Sequence, residues 1–175
     1  MKVVLIGMPL IGKTSCGKML AKFLNIPHYD TDKLIETECS QSVSSIFKRY
    51  GERFFREMEH NIIKSIAHIE SGIVSVGGGA ILSKNNNLVL KPFTKIWLLA
   101  DYDTILARMQ QPKNKSQRPI LKNTTPSALQ DMYEQRLPLY RQNADHIVDT
   151  SQLTIKEIVQ KIYTILKNSR NPYQK

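Results

Sequence analysis

The most specific chemical pattern in the sequence is Gly7-Met8-Pro9-Leu10-Ile11-Gly12-Lys13-Thr14, which fits G-x-x-x-x-G-K-[ST]. This spacing is typical of a phosphate-binding loop, in which backbone N–H groups and a helix N-terminus face a polyphosphate. Lys13 would then supply a cation to the terminal phosphates, and the hydroxyl of Thr14 would be a magnesium ligand. The pattern predicts a nucleotide-phosphate site, and the alternative is an ordinary strand-to-helix turn with a solvated lysine.

The segments on either side of this loop favour the first interpretation. Residues 3–6 are apolar and predict a short buried strand, while residues 14–24 have the spacing of a helix. A strand before the glycines and a helix after them is the context that a phosphate-binding loop requires.

Two further predicted strands also end in residues with chemical potential. Asp30 and Asp32 follow a short strand at His28-Tyr29, and Gly77-Gly78-Gly79 follows a strand at residues 72–76. Three glycines at a strand end indicate either a flexible turn or a close approach of backbone to a ligand.

The whole chain alternates strand and helix about five times, which predicts an α/β fold with a largely parallel sheet and helices on both faces. Ligands bind such sheets at the carboxyl ends of the strands, where the loop, the carboxylates and the triple glycine all lie. A basic loop over about residues 110–124 carries two prolines, and long loops of this kind are usually functional. We expect one domain over residues 1–167, with a polar tail at residues 168–175.

Composition limits the functional classes. The 175 residues are 41% apolar and 23% charged, and no apolar run approaches the ~18 residues of a membrane span. We expect no signal or transit peptide and a cytoplasmic location, which fits the two cysteines, Cys16 and Cys39. A net charge of +10 suggests an anionic partner, either nucleic acid or a nucleotide with an acidic metabolite. The basic segments lack the interleaved aromatic residues of a single-strand binding surface.

Six motifs in order resemble the shikimate kinase family over almost the whole chain. Besides the phosphate loop, Asp30-x-Asp32 and the triple glycine, they are Phe55-Arg56-Glu57-Met58-Glu59, Arg118-Pro119 and Arg136-Leu137-Pro138-Leu139-Tyr140. The resemblance implies a three-layer P-loop kinase fold, with a five-stranded parallel sheet flanked by helices and a mobile lid. It also implies a monomer that uses ATP and Mg²⁺ to phosphorylate the 3-hydroxyl of shikimate.

The resemblance assigns the nucleotide side residue by residue. Asp30 would hold the metal with Thr14, Arg118 would close from the lid onto the phosphates, and Arg108 would lie near adenine. The residues expected to contact the nucleotide are Leu10, Ile11, Gly12, Lys13, Thr14, Ser15, Arg108, Arg118 and Gln152.

The substrate side follows in the same way. Asp32 would bind the hydroxyl that is phosphorylated, either as general base or as a positioning group, and Lys13 and Arg118 complete the catalytic set. The other expected substrate contacts are Arg56, Gly77, Gly78, Gly79 and Arg136. A planar carboxylate favours guanidinium forks, which agrees with two arginines.

Simpler interpretations exist for both arginines. Arg56 could form a surface ion pair with Glu52, Glu57 or Glu59, and Arg136 could pair with Asp131 or Glu134.

The phosphate loop departs from the family pattern at Leu10, where a glycine is usual, and at Ile11, where a small residue is usual. A residue other than glycine should avoid positive φ, so we expect a tighter loop that fits phosphate less well. The loop at residues 149–153 also lacks an arginine that some family members carry.

Two other functions compete with this assignment. One is a gluconate or nucleoside monophosphate kinase, against which the triple glycine and the arginine pair argue. The other is a non-catalytic nucleic-acid binder with an altered phosphate loop, against which the intact Lys13, Thr14, Asp30 and Asp32 argue.

Overall fold

A computed structural model describes residues 1–111 and 124–169 of the chain. Most of the predicted lid, including Arg118, lies outside these residues, as does the end of the polar tail. The predictions for the lid therefore stay predictions.

The centre of the fold is a five-stranded sheet in which all neighbouring strands are parallel. The strands are β1 (Lys2–Ile6), β2 (His28–Asp30), β3 (Gly72–Ser75), β4 (Thr94–Leu99) and β5 (His146–Asp149). Their spatial order is β2-β3-β1-β4-β5, so β1 lies in the middle, with Val4 opposite Val74 on one side and Lys95 on the other. The residues of β1 from Val3 to Ile6 are fully buried, as expected for a strand covered on both faces.

Helices cover both faces of this sheet. They are α1 (Lys13–Leu24), α2 (Thr31–Cys39), α3 (Val43–Ile66), α4 (Lys84–Val89), α5 (Tyr102–Gln110), α6 (Pro126–Asn143) and α7 (Ile155–Ser169), with a 3₁₀ turn at Ala80–Leu82. Right-handed crossovers place α1 on one face, where α7 packs against it, and α3, α4 and α6 on the other. The predicted α/β fold is confirmed.

Local sequence sets where the helices begin. Side chains of Ser42, Asp101 and Thr125 each accept a hydrogen bond from a backbone N–H in the first turn of α3, α5 and α6. At α7, Thr154 and Glu157 form a reciprocal capping box. Gly51 has φ 80° and ψ 174°, a non-helical conformation that interrupts α3.

Burial explains the chemistry of Cys16 in the first turns of α1. Its side chain is fully buried in the main core, and burial raises the pKa of its thiol to about 11. Cys16 is therefore a packed apolar residue, and its position near a helix N-terminus does not produce a thiolate.

Within residues 1–111 and 124–169, no helix is both long enough and apolar enough to cross a membrane.

Candidate active site

The phosphate loop connects β1 to α1 and encloses the side chain of Lys13. This side chain is only 7% exposed, and its Nζ donates hydrogen bonds to the backbone oxygens of Gly7 (2.8 Å) and Met8 (2.9 Å). Gly7 has φ 141°, and a Cβ there would lie 2.5 Å from the backbone oxygen of Leu98. The sequence pattern thus forms a loop around a buried ammonium group, and the predicted contact of Lys13 with nucleotide phosphates stays a prediction.

Leu10 contradicts one expectation, because its φ is 66°, in the left-handed region. The loop keeps the backbone conformation that a glycine would adopt, and it does so with a leucine. Arg108 on α5 donates hydrogen bonds from Nη1 to the backbone oxygens of Leu10 and Ile11, both at 3.3 Å, and the Leu10 side chain packs against the core. These contacts offset the cost of the left-handed conformation, about 1–2 kcal/mol.

Thr14 and Asp30 bring two oxygen ligands together beside the loop. The Thr14 hydroxyl donates to Oδ2 of Asp30 at 2.5 Å, while Oδ1 of Asp30 caps α2 by accepting from the N–H of Lys33 at 3.2 Å. In the described part of the chain, no group of three or more His, Cys, Asp or Glu side chains could hold a metal ion. One carboxylate and one hydroxyl suit Mg²⁺ bound jointly with nucleotide phosphates.

The triple glycine after β3 makes room for the protein's own side chains. A Cβ on Gly77 would lie 2.7 Å from Oε1 of Glu59, and a Cβ on Gly79 would lie 2.6 Å from Nη2 of Arg56. A Cβ on Gly78 would lie 2.8 Å from Cδ of Pro9 in the phosphate loop. None of the three has positive φ, so close approach is the reason for glycine at each position.

Arg56 and Glu59 form a largely buried ion pair on α3. Nη1 of Arg56 donates to Oε2 of Glu59 at 2.8 Å, and its Nη2 lies 3.0 Å from Oε1 of Glu52. Burial works against the charge of Arg56, but the two carboxylates outweigh it and raise the pKa of the guanidinium. Burial also raises the pKa of Glu59, an effect that its contact with Arg56 opposes. Arg56 therefore forms ion pairs with Glu52 and Glu59, but the pair with Glu59 is largely buried instead of lying on the surface, and Arg56 faces Gly79.

Arg136 and Tyr140 approach the same turn from α6. The Tyr140 hydroxyl, fully buried, donates to the backbone oxygen of Gly78 at 2.5 Å, and burial raises the pKa of Tyr140 to about 12. Nη1 of Arg136 is buried and makes no hydrogen bond with the described residues, although the Arg136 side chain also interacts with Tyr140 and its charge acts on Glu59. The alternative pairing of Arg136 with Asp131 or Glu134 does not occur among the ion pairs of the described residues.

Asp32 is a second carboxylate beside the triple glycine, after Glu59. It lies in the first turn of α2, and its Oδ1 would be 3.1 Å from a Cβ on Gly77. The charge of Asp32 contributes to the raised pKa of Glu59, which places the two carboxylates in one electrostatic environment.

The structure therefore brings the residues predicted for the nucleotide next to those predicted for the substrate. Pro9 against Gly78 connects the phosphate loop to the turn that faces Asp32, Arg56 and Arg136. Arg108 lies on the phosphate-loop carbonyls, while Ser15 in α1 and Gln152 before α7 are exposed side chains outside this group.

Comparison with known proteins gives a match over most of the chain. A family model described as shikimate kinase matches residues 11–167.

The chain belongs to the shikimate kinase family.

Family members from two bacteria show how much of each chain is shared. The shikimate kinase of Syntrophus aciditrophicus is 36% identical, over 96% of this chain and 92% of that protein. The one from Thermodesulfovibrio yellowstonii is also 36% identical, over 96% of this chain and 98% of that protein.

Solved structures of the family have the same fold. Shikimate kinase from Acinetobacter baumannii in complex with shikimate aligns with a TM-score of 0.89 at 29% identity, over 97% of this chain and 94% of that one. The Aquifex aeolicus enzyme aligns with a TM-score of 0.83 at 28% identity, over 97% of this chain and 98% of that one.

The sequence interpretation missed the roles of Glu59 and Tyr140, although both lie in motifs that indicated the shikimate kinase family. Glu59 lies four residues after Phe55 and four before Ile63, so a carboxylate occupies the buried stripe of α3. An acidic residue in the buried stripe of a helix indicates that another buried side chain pairs with it. Tyr140 carried no comparable signal, because a tyrosine on a helix is more often a simple core residue.

Proposed function

We propose that this chain transfers the terminal phosphoryl group of ATP to the 3-hydroxyl of shikimate, giving shikimate 3-phosphate and ADP. The observation that carries the proposal is the contact between Pro9 and Gly78, because it sets the phosphate loop directly against an arginine-lined turn. A site of this kind suits a small anionic acceptor placed next to a nucleotide.

The nucleotide side would be formed by the phosphate loop and the start of α1. Backbone N–H groups from Leu10 to Ser15, around the N-terminus of α1, would point at the nucleotide phosphates, and Lys13 would supply the positive charge. Thr14 and Asp30 would hold Mg²⁺, which when bound neutralises phosphate charge. Arg108, fixed on the loop carbonyls, would contribute charge from outside the loop.

The acid side would be formed by Arg136, Arg56 and the triple glycine. The buried Nη1 of Arg136 is a cationic donor for which the described residues supply no acceptor, and a ligand carboxylate would satisfy it. Glu52 and Glu59 hold Arg56 in place, so its guanidinium is oriented before the ligand arrives.

Asp32 would act on the ring hydroxyl. Its position beside Gly77 supports this role, because a ring whose acid group binds the arginines on the same turn would bring a hydroxyl close to Asp32. The hydroxyl oxygen forms a bond to the terminal phosphorus, the bond from that phosphorus to the ADP oxygen breaks, and Asp32 orients the hydroxyl or takes its proton.

A monomer of one catalytic domain in the cytoplasm is the simplest setting for this reaction. The two cysteines support the cytoplasmic part of this proposal, since both are free thiols, which fits a reducing compartment.

A coupled ADP-release assay tests the proposal. The purified chain is given ATP and Mg²⁺ with shikimate, gluconate or a panel of nucleoside monophosphates, and ³¹P NMR locates the phosphate on the product. We expect turnover with shikimate only, and loss of that turnover in Lys13→Met purified in parallel, which excludes a contaminating kinase.

Other results would replace the proposal with one of its competitors. Turnover with gluconate or a nucleotide, without turnover of shikimate, would identify a different small-molecule kinase. Salt-sensitive binding to RNA or DNA without any ADP release would identify a nucleic-acid binder.

A further inference from the structure

A side-chain relay behind the triple glycine connects α3 to α4. Nδ1 of His60 on α3 lies 2.7 Å from Oδ1 of Asn86 on α4, and Nδ2 of Asn86 donates to the backbone oxygen of Ala80 at 2.9 Å. Asn86 is only 1% exposed, and Ala80 directly follows Gly79. A buried amide therefore spans the distance from the arginine-bearing helix to the substrate-side turn.

The direction of each hydrogen bond follows from the chemistry of the groups. The Ala80 carbonyl can only accept, so the nitrogen of the Asn86 amide must face it and the oxygen must face His60. His60 then donates through Nδ1–H. This donor is present in one of the two neutral tautomers of the ring.

The relay lies between two elements of the proposed binding site for the substrate's acid group. One element is α3, which carries Arg56 and Glu59, and the other is the turn from Gly77 to Gly79. The clearance between them is small, because a Cβ on Gly79 would lie 2.6 Å from Nη2 of Arg56. A displacement of the turn by less than one atomic diameter would therefore move the guanidinium of Arg56 or disturb its hydrogen bonds.

We propose that His60 and Asn86 are positioning residues for the acid side of the site. They hold the triple-glycine turn at the spacing from α3 that Arg56 needs, without contacting the ligand themselves. A second bond holds the 3₁₀ turn that directly follows Gly79, since Nδ2 of Asn87 donates to the backbone oxygen of Ile81 at 2.8 Å. This inference rests on the proposed function.

Three substitutions separate positioning from simple stability. Asn86→Asp is isosteric, yet it places an oxygen against the Ala80 carbonyl and removes the donor. His60→Phe keeps a ring but leaves Oδ1 of Asn86 without its donor, whereas His60→Asn puts an amide nitrogen near the position of Nδ1 and can restore it. Asn85→Asp is the matched control, because it makes the same change at an exposed neighbouring position.

The experiment measures the KM for shikimate, the KM for ATP, kcat and the melting temperature, together with shikimate binding by calorimetry. For Asn86→Asp and His60→Phe we expect the KM and Kd for shikimate to rise about tenfold, with the KM for ATP within about twofold of the wild type. His60→Asn should recover most of the shikimate affinity, and Asn85→Asp should match the wild type.

Two results would overturn the inference, and they differ from each other. An active wild type with unchanged shikimate KM in both His60→Phe and Asn86→Asp, even at lower melting temperature, would reduce the relay to a stability feature. A wild type that turns over no shikimate would overturn the proposed function and this inference with it. If Asn86→Asp does not fold, the contrast between His60→Phe and His60→Asn still decides the question.

Discussion

The hydroxyl of Thr14 and Oδ2 of Asp30 are 2.5 Å apart, in a contact that crosses the end of an intervening strand. Thr14 follows β1, Asp30 ends β2, and β3 lies between them in the sheet. Ser75 at the end of β3 fills the gap by donating to the backbone oxygen of Lys13 at 3.0 Å. The phosphate loop and the first carboxylate thus occupy one edge of the sheet because three strands end there together.

The first prediction concerns Asp30→Asn. Asparagine can still cap α2 by accepting from the N–H of Lys33, so we expect little change in melting temperature. The loss of one ligand charge should raise the Mg²⁺ concentration for half-maximal activity about tenfold or more. Magnesium titrations of kcat at saturating ATP and shikimate measure this. Thr14→Ser, which keeps the hydroxyl, is the control, and an unchanged titration for Asp30→Asn would exclude Asp30 from the metal site.

Asp32→Asn tests the carboxylate beside Gly77. If it orients the hydroxyl or takes its proton, removing the charge should lower kcat by ~10² or more, with a smaller change in the KM for shikimate. Asp103→Asn makes the same change at an exposed position on α5 and should leave kcat unchanged. Near-wild-type turnover by Asp32→Asn would remove this residue from the catalytic set.

Arg136→Ala should act mainly on substrate affinity. Its buried Nη1 would donate to a carboxylate that is unaltered by the reaction, so the KM for shikimate should rise about 10- to 100-fold while kcat stays within a few-fold. Initial-rate kinetics over a wide shikimate range give both constants. Arg141→Ala, at an exposed position on the same helix, should behave as the wild type. A fall in kcat at constant KM would place Arg136 on the transferring phosphate instead.

The backbone of Leu10 leads to a stability prediction. Because φ is 66° at this position, alanine would carry the left-handed cost and glycine would not. Leu10→Gly should therefore be more stable than Leu10→Ala by about 0.5–1 kcal/mol, after allowance for the greater freedom of unfolded glycine. Urea unfolding of the two variants measures the difference. Both lose the leucine side chain, so equal stabilities would mean that the loop relaxes away from this conformation.

His28 should make stability depend on pH. Burial lowers the pKa of His28, with Asp30 opposing and Lys18 reinforcing this effect, and its Nε2 lies 3.0 Å from Oγ of Ser75. At this position the unfolded chain then binds more protons than the folded chain. The contribution of His28 to the free energy of unfolding is therefore complete above pH 6.5 and is lost as the pH falls below that value.

The variant His28→Gln isolates this contribution. Its amide nitrogen can replace Nε2 as donor to Ser75, yet it does not titrate. We expect the free energy of unfolding of the wild type to fall more steeply than that of His28→Gln from pH 6.5 downward, as measured by urea denaturation at several pH values. Parallel pH profiles would show that His28 has the same proton affinity in the folded and unfolded chain.

Short-range features of the site were predictable because their physics is local. The spacing from Gly7 to Thr14 determines a loop at a helix N-terminus, and Thr154 with Glu157 determines the start of α7. The alternation of strands and helices determines a parallel sheet, and therefore an edge where the loop, Asp30 and the triple glycine meet. The sequence by itself thus determined the reaction class, and it predicts which residues take part in the reaction.

Only the tertiary structure decided which residues from different helices and loops come into contact. Gly79 has to be glycine because Arg56, from a different helix, passes beside it, and Leu10 keeps positive φ because Arg108 and the core hold the loop. The relay from His60 through Asn86 to Ala80 joins residues whose separation in sequence carries no periodic signal. Such contacts depend on how packed elements meet, and the balance of packing against backbone strain is set only when the whole chain has folded.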